Sequence, residues 1–467
     1  MEVRAMRVSK SVFLLAVIGF CGVLKAETVN RMYWTDAGSV YRSYTDGTGV
    51  QCIYSGNTTT GTALYVDLDP ITGKLYQYGR IGNQDTGQGY VRRTNLDGTG
   101  AETLISSGIN PLTYGFAIDT RNGTMYMGSG NGLRKANLDG TNLQFIPPYY
   151  PNHPYYSLDM EIDTSNNKFY YSDVVSYNGI KKANLDGTGV QNVLNLGGGD
   201  SQSTQFALDV ANNRLFYTQY RNKTIGKINL DGSGNTTLLT GITALDIELD
   251  SKAGKMYWTT TNTIRRANLD GSGGENVVSL VSGNGIADSL ALSPTGAVQW
   301  STERGGNGHW YEVVYTPHKI TWDAANSDAT AKGGYLATIT STEENSVVYN
   351  LISDDKFWQL DAPSQNSGGP WLGGTRQAGS WQWSNGENWT YSNWGPGEPN
   401  GSGSFLSFWA YQSGKAPTWD DVTSDWGGGM YGYVVEYNAL PEPSSLMLCG
   451  IGAAMAMVYA LRRRASK

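Results

Sequence analysis

Cysteine is scarce in this 467-residue chain, which contains only three. Cys21 and Cys449 lie in apolar segments at the two ends, so Cys52 stands alone in everything between. No disulfide can therefore form within the body of the chain, and no cysteine nucleophile has an evident partner base. Histidine is equally rare, and none of the three histidines is spaced like a zinc ligand pair.

Charge is also low, at 16% of residues against a usual value of about 25%. The net charge is −7, and no long basic run occurs outside the extreme C-terminus, which excludes the electrostatic footprint of a nucleic-acid-binding protein. Glycine is abundant (60 residues) and aromatic residues make up 12%. This composition indicates a folded, turn-rich β protein rather than a disordered polymer, with room for two or three domains at roughly 150 residues each.

The N-terminus has the layout of a secretory signal. Arg4, Arg7 and Lys10 precede an apolar run from Ser11 to Leu24, and a small residue, Ala26, follows. We expect residues 1–26 to be a signal peptide that is cleaved after Ala26. An uncleaved membrane anchor is the alternative, although the apolar run is short for a bilayer span.

The C-terminus carries a second apolar segment. Residues Ser444–Leu461 are uncharged and, as a helix, would extend about 27 Å, just enough to cross a hydrocarbon core of about 30 Å. Pro441-Glu442-Pro443 precedes this segment, and Arg462–Arg464 follows it, which should keep that end cytoplasmic. Together these features of residues 439–467 resemble the PEP-CTERM sorting signal of bacterial exported proteins. The resemblance implies transient insertion in the inner membrane and removal by an exosortase; a plain membrane anchor is the alternative.

A repeat occupies most of the first 300 residues. Its marker is Asn-Leu-Asp-Gly, with a Tyr-Thr-Asp-Gly variant at the start, and successive aspartates are 51, 42, 47, 45 and 39 residues apart. Asp-Gly between alternating runs is a hairpin signal, because glycine takes the positive φ and aspartate caps its own backbone. We therefore interpret these aspartates as turn formers rather than metal ligands or catalytic groups: Asp46, Asp97, Asp139, Asp186, Asp231 and Asp270.

Each repeat contains four apolar or aromatic runs, which predicts four strands and, over six copies, a β-propeller. Leu290–Leu292 and Val298–Ser301 are expected to supply a first and second strand that complete the ring with the N-terminal strands; seven blades is the alternative. Tyr33-Trp34-Thr35-Asp36 keeps the whole signature of the YWTD, or low-density-lipoprotein-receptor class B, repeat, which the propeller region (27–303) resembles. That family implies six blades used for protein binding, without catalysis.

The composition changes after residue 306. Trp322, Ala325, Asn326 and Ala329 mark one face of a helix. Thr340 is expected to start a second helix, in which Thr342-Glu343-Glu344-Asn345, with acids suited to the helix N-terminus, leads into Val347 and Val348. Loops rich in tryptophan and short strands follow. In order, these segments resemble a C-type lectin-like domain over residues 307–438, without the disulfides of that family. The fold class predicted for the chain is therefore mainly β: a six-bladed β-propeller followed by an α+β C-type lectin-like domain held by a tryptophan-rich core.

The lectin resemblance implies a Ca²⁺-bridged sugar site. Glu398 and Asn400 match the Glu-Pro-Asn ligands, Pro399 matches the cis-proline between them, and Asp420 and Asp421 match the Trp-Asn-Asp motif. Asp420 replaces the usual asparagine, which adds charge and removes an amide donor. In addition, residues 401–409 lack the accessory acid of the family, although Ca²⁺ requires six to eight oxygens. The alternative is that Glu398 and Asn400 only stabilise the loop, while Trp394 and Trp419 belong to the core.

These observations predict an exported protein of the cell surface or extracellular matrix that binds a glycan or an extracellular protein ligand, not nucleic acid, and is not an enzyme. Its glycine-rich stretches lie in hairpins rather than between a strand and a helix, where phosphate cradles occur. Two alternatives stay open. One is a polysaccharide lyase or hydrolase, which would need a cluster of carboxylates or basic residues at the axial mouth of the propeller. The other is a purely structural matrix component.

Overall fold

The computed structural model describes residues 31–439 except 58, 84–85, 111–112, 130–131, 147–158, 174–178, 197–204, 281–288, 294–296, 360–365 and 412–413. The predicted signal peptide and the apolar segment 444–461 lie outside the described residues. Within the described part of the chain, no helix is long and apolar enough to cross a membrane.

The N-terminal part consists of short antiparallel strands in sheets of four. The first three strands are β1 (Arg31–Asp36), β2 (Ser39–Tyr44) and β3 (Gln51–Tyr54). Five complete blades follow: β4 (Thr62–Asp69), β5 (Lys74–Ile81), β6 (Gln88–Asn95), β7 (Glu102–Ile105); β8 (Thr113–Asp119), β9 (Thr124–Ser129), β10 (Gly132–Asn137), β11 (Gln144–Phe145); β12 (Met160–Asp163), β13 (Lys168–Asp173), β14 (Gly179–Asn184), β15 (Gln191–Asn195); β16 (Phe206–Asp209), β17 (Arg214–Gln219), β18 (Thr224–Asn229), β19 (Thr236–Thr240); β20 (Ile247–Asp250), β21 (Lys255–Thr259), β22 (Thr263–Asn268), β23 (Glu275–Ser279).

The sixth blade closes the ring by joining the two ends of the repeat region. Its innermost strand, β24 (Leu290–Leu292), pairs with β1, which gives the sheet order β24-β1-β2-β3. The six-bladed propeller is thus confirmed, and the seven-bladed alternative is wrong. The expectation that Val298–Ser301 adds a second propeller strand is also wrong. Val298–Gln299 forms strand β25, which pairs with Trp310 and Tyr311 in the C-terminal module; a two-residue strand carries no pattern that specifies its sheet.

The Asp-Gly turns have the predicted structure. In each turn one aspartate oxygen accepts hydrogen bonds from the backbone N–H and the hydroxyl of the residue two positions later; for Asp97 and Thr99 these distances are 2.9 and 2.6 Å. Gly98 has φ +87°, which a side chain would strain. The same pair of bonds forms at Asp46, Asp139, Asp186, Asp231 and Asp270. Their role as turn formers is confirmed.

The C-terminal module is an α+β domain around one sheet, with the strand order β25-β26-β32-β28-β30-β31. Strand β27 pairs with β32, and β29 pairs with β28. Its further elements are β26 (Trp310–Ile320), α1 (Trp322–Ala331), β27 (Tyr335–Leu336), α2 (Thr342–Leu351), β28 (Asn366–Gln377), β29 (Ser380–Trp383), β30 (Phe405–Tyr411), β31 (Gly414–Val422) and β32 (Met430–Tyr437). Both predicted helices are present, and Trp322, Ala325 and Ala329 form the buried face of α1.

Tryptophans fill the core of this module. Trp371 and Trp419 are fully buried, and each indole N–H has an acceptor: Trp371 Nε1 donates to the Ile320 carbonyl at 2.7 Å, and Trp419 Nε1 donates to Asn345 Oδ1 at 2.8 Å. Buried aromatic rings contribute large apolar areas, and satisfied indoles avoid the cost of burying a polar group. Cys52, the one cysteine among the described residues, is a free, exposed thiol.

Candidate functional site: the acidic trio of the long loop

A long loop between β29 and β30 is clamped to the strand that carries Asp420 and Asp421. Gly395 N donates to the Trp419 carbonyl and Trp419 N donates to the Asn393 carbonyl, both at 2.9 Å. Gly395 must be glycine, because a Cβ there would lie 1.9 Å from the Trp409 ring. This clamp brings the Glu398–Asn400 segment beside the end of β31.

Three carboxyl groups converge at this point, and we call Glu398, Asp420 and Asp421 the acidic trio. One oxygen from each lies within 4.8 Å of the others. The Glu398–Pro399 peptide bond is cis, as the resemblance implies. Asn400 ties the loop to the trio: its backbone N–H donates to Glu398 Oε2 at 3.0 Å and to Asp421 Oδ1 at 2.8 Å, and its Nδ2 donates to Glu398 Oε1 at 3.1 Å.

The trio carries negative charge that the described protein groups do not neutralise. Burial, together with the carboxylates of Glu398 and Asp421, raises the pKa of Asp420 to about 7. Burial also raises the pKa of Glu398, and Asp421 adds to that shift. Asp420 Oδ1 is buried without a hydrogen-bond partner in the described structure. A cation at this position would stabilise the ionised trio and satisfy that oxygen.

The donor set fits Ca²⁺, which prefers hard oxygen ligands, several of them anionic. Glu398, Asp420 and Asp421 supply three carboxylates, and Asn400 could supply an amide oxygen. That Asn400 oxygen accepts from Ser402 N at 2.7 Å, and it keeps a second lone pair. Ser402 and Gly403 occupy the region where the accessory acid is missing, and Gly403 N donates to Asp421 Oδ2 at 3.2 Å. Among the described residues the site thus offers these four side chains, and backbone carbonyls, water or ligand hydroxyl groups would complete the coordination.

The tryptophans near the loop belong to the core, as the alternative interpretation expected. Trp419 is fully buried, and Trp394 is half-buried against it with the ring centres 6.0 Å apart. Trp383, Trp389 and Trp381 continue the same stack. These rings stabilise the base of the loop that carries the trio.

A second group of acids lines a cavity of about 470 Å³ among the innermost propeller strands. This group was not among the sites predicted from the sequence. The sequence does carry a signal for it in the innermost strands. The second residue of a four-residue motif is acidic in three blades, VDLD (66–69), MEID (160–163) and IELD (247–250), and is alanine in two others, FAID (116–119) and FALD (206–209). Single-strand periodicity does not reveal that residues on different blades converge on one axis. The residues are Asp67, Asp159, Glu161, Asp246 and Glu248.

The fold defines the class of the C-terminal module: it is a C-type lectin-like domain that follows a six-bladed propeller. The family model of the C-type lectin domain matches residues 318–426. A type-2 ice-structuring protein of Brachyopsis segaliensis is 32% identical over 107 residues, which cover 22% of this chain and 54% of that protein. A perlucin-like protein of Mytilus galloprovincialis is 30% identical over 116 residues, which cover 23% of this chain and 65% of that protein.

The chain thus spans less than two thirds of the length of either relative. Among solved structures, one described as a nidogen/laminin complex matches with a TM-score of 0.47 at 13% identity and covers 56% of this chain and 98% of that one. The lectin family model and the two curated relatives agree with a ligand-binding role for the C-terminal module.

Proposed function

We propose that this protein is a non-catalytic, exported binding protein whose lectin-like module recognises a glycan or an extracellular protein with the help of Ca²⁺. The convergence of Glu398, Asp420 and Asp421 beside the cis Glu398–Pro399 bond is the observation that carries the proposal. Ca²⁺ would supply a positive centre for vicinal hydroxyl groups, while the trio and Asn400 would hold it at the tip of the long loop.

The proposal is tested by glycan-array binding in 2 mM Ca²⁺ and in excess chelator. We expect binding that the chelator abolishes, with a Ca²⁺ dissociation constant on the order of 10⁻⁴ to 10⁻³ M, as in other extracellular modules. Glu398→Gln and Asp421→Asn should each weaken ligand binding at least tenfold. Glu387→Gln removes an exposed acid of the same region and is the matched control. Ligand binding that persists in chelator would show that the module acts without metal.

Export rests on the sequence of the two ends. We expect the mature protein from its native host to begin at Glu27 and to lack the segment from about residue 439, because the signal peptidase and an exosortase-type enzyme remove them. Intact-mass measurement of the surface-associated protein tests both cuts. A chain found only in the cytoplasm with both ends intact would contradict export.

A polysaccharide lyase or hydrolase is the second candidate, because it required a carboxylate cluster at the propeller axis and five carboxyl groups line the axial cavity. The test is incubation with neutral and acidic polysaccharides, followed by assay of new reducing ends and of unsaturated uronate absorbance. We expect no turnover. Turnover that Glu161→Gln abolishes, with Glu387→Gln as the control, would show that the propeller is catalytic and would contradict the non-catalytic proposal.

A further inference from the structure

Six equivalent residues surround the propeller axis and alternate between acid and alanine. Each lies on the innermost strand of its blade, opposite an aromatic residue of the second strand. In chain order the pairs are Asp67–Tyr76, Ala117–Tyr126, Glu161–Tyr170, Ala207–Phe216, Glu248–Tyr257 and Ala291–Tyr33. Three blades form the same strand pairing with alanine at this position. Strand formation therefore does not explain why the other three blades have a carboxyl group there.

The axial cavity holds an excess of negative charge. The cavity is lined by the three acids at the equivalent positions, Asp67, Glu161 and Glu248. Asp159 and Asp246, two residues before Glu161 and Glu248 in the sequence, line it as well. Arg121 is the one basic residue among the described lining residues, and its Nη2 lies 3.4 Å from Glu303 Oε1. On the side of the lectin-like module, Gln299 and Trp310 complete the lining. Five carboxyl groups therefore share a cavity with a single cation that already has a partner.

Three of these acids also connect neighbouring blades. Asp67 accepts from Leu68 N and from Ile118 N of the next blade, at 2.7 and 2.8 Å. Asp159 and Asp246 make the same type of connection, to Phe206 N and Leu290 N respectively, each at 2.6 Å. Backbone hydrogen bonds therefore explain why aspartate is present at these three positions.

The two glutamates are not explained in this way. Glu248 Oε2 accepts only a 3.3 Å bond from Leu249 N. Glu161 has no hydrogen-bond donor among the described residues. Burial and the other carboxylates raise the pKa of Glu161 and Glu248 well above the usual range, and burial raises that of Asp67 to about 7. The protein groups around the cavity thus disfavour the ionised form of these acids.

A neutral residue gives independent support. Gln205 lies on the blade between those of Asp159 and Asp246, lines the same cavity and is only 7% exposed. Its Oε1 is buried without a hydrogen-bond partner in the described structure. Burying an amide oxygen without a donor costs free energy, which contact with a cation or with its bound water would recover.

We propose that the axial cavity of the propeller is a binding site for a divalent metal ion, with Glu161, Glu248 and Asp67 as the anionic groups and Gln205 Oε1 as a neutral oxygen. Among the described residues, only the acidic trio has three acidic oxygens within 4.8 Å of one another, so three axial carboxylates do not bind one ion directly in this arrangement. The ion therefore keeps part of its water shell, as Mg²⁺ commonly does. The cavity has room for such waters, at about 30 Å³ each.

The test uses the full mature chain with the lectin site disabled by Glu398→Gln and Asp421→Asn, so that failure of the lectin proposal does not affect it. Bound Mn²⁺ is counted by electron paramagnetic resonance at pH 7.5, and Mg²⁺ and Ca²⁺ are added as competitors. We expect one ion per chain. Adding Glu161→Gln and Glu248→Gln should weaken binding at least tenfold. Glu275→Gln, on an outer strand, should have no effect.

Two further variants separate binding from folding. Glu161→Ala with Glu248→Ala installs the residue that the alternate blades already carry, so it should retain the native circular dichroism spectrum and lose the ion. Gln205→Met should weaken binding at least threefold. Absence of an ion in the background protein, or equal binding after the glutamates are changed, would overturn the proposal. A thermal shift with spermidine but with no divalent metal would identify an organic cation and would overturn the metal assignment.

Discussion

Glu436 is a carboxyl group held almost entirely out of water beside one imidazole. It is 1% exposed; its Oε1 lies 2.5 Å from His309 Nδ1, and its Oε2 accepts from Thr338 N at 2.8 Å. Burial raises the pKa of Glu436 to about 7, although His309 opposes the shift. Hydrogen bonding to Glu436 in turn raises the pKa of His309. Each group therefore binds its proton more tightly in the folded protein than in the unfolded chain.

This pair predicts that acid stabilises the protein. The contribution of Glu436 is fully present below its unfolded pKa of about 4.5 and is lost as the pH rises through about 7. Glu436→Gln should reduce the fall in the free energy of unfolding between pH 5 and 8 by up to about 3 kcal/mol. Urea unfolding at both pH values measures this, with Glu102→Gln, which changes an exposed acid of the propeller, as the control. If the free energy of unfolding falls equally between pH 5 and 8 in Glu436→Gln and in the unaltered protein, Glu436 does not titrate as proposed.

Tyr311 and Glu344 extend the same buried network. Tyr311 Oη donates to Glu344 Oε1 at 2.5 Å, and Asn307 Nδ2 donates to the same oxygen at 2.8 Å. The sequence indicated Glu344 only as an acid suited to a helix N-terminus. Its burial and its long-range partners could not be predicted, because they depend on β26, which approaches α2 only in the folded module.

At the scale of single elements, the loop that carries Glu398 depends on its close approach to β31 at Gly395. Gly395→Ala places a Cβ 1.9 Å from the Trp409 ring, so the loop or the ring must move. We expect a loss of about 1–3 kcal/mol of stability and at least tenfold weaker Ca²⁺ binding, measured by thermal unfolding and calorimetric titration. Gly274→Ala, where a Cβ meets no atom within 4 Å, is the control. Native Ca²⁺ affinity in Gly395→Ala would show that this clamp does not position the acidic trio.

Sequence patterns predicted individual strands, turns and helices better than they predicted which of these elements pack or pair with one another. The Asp-Gly turns, the aromatic second strands and both helices could be predicted because hairpin chemistry and periodicity are local properties. Strand β25 was assigned to the wrong sheet, since nothing in Val298–Gln299 favours one neighbour over another. The axial acids were missed because Asp67, Glu161 and Glu248 lie 94 and 87 residues apart in the sequence and meet only when the ring closes. The acidic trio was accessible through family resemblance, not through spacing.

For the molecule as a whole, the propeller and the lectin-like module share a core residue. Ile71, from the turn between β4 and β5, is buried in the cluster formed by Val347, Val348 and Ile352 of the C-terminal module. Polar contacts surround this insertion: Arg31 Nε lies 2.6 Å from Asp354 Oδ2, and Asn350 Nδ2 donates to the Ile71 carbonyl at 3.3 Å. A ligand held at the acidic trio would therefore be tied to the propeller through a packed joint rather than a free linker.

This joint predicts cooperative unfolding of the two modules. Ile71→Ala should cost about 2–4 kcal/mol, because it removes buried methyl groups and leaves a cavity between the modules. In differential scanning calorimetry we expect one transition in the native protein and two separate transitions in Ile71→Ala, with faster proteolytic cleavage between residues 301 and 309. Val190→Ala truncates an exposed side chain and should change neither measurement. Two transitions in the unaltered protein, at the same temperatures as in the variant, would show that the modules unfold independently and that Ile71 does not couple them.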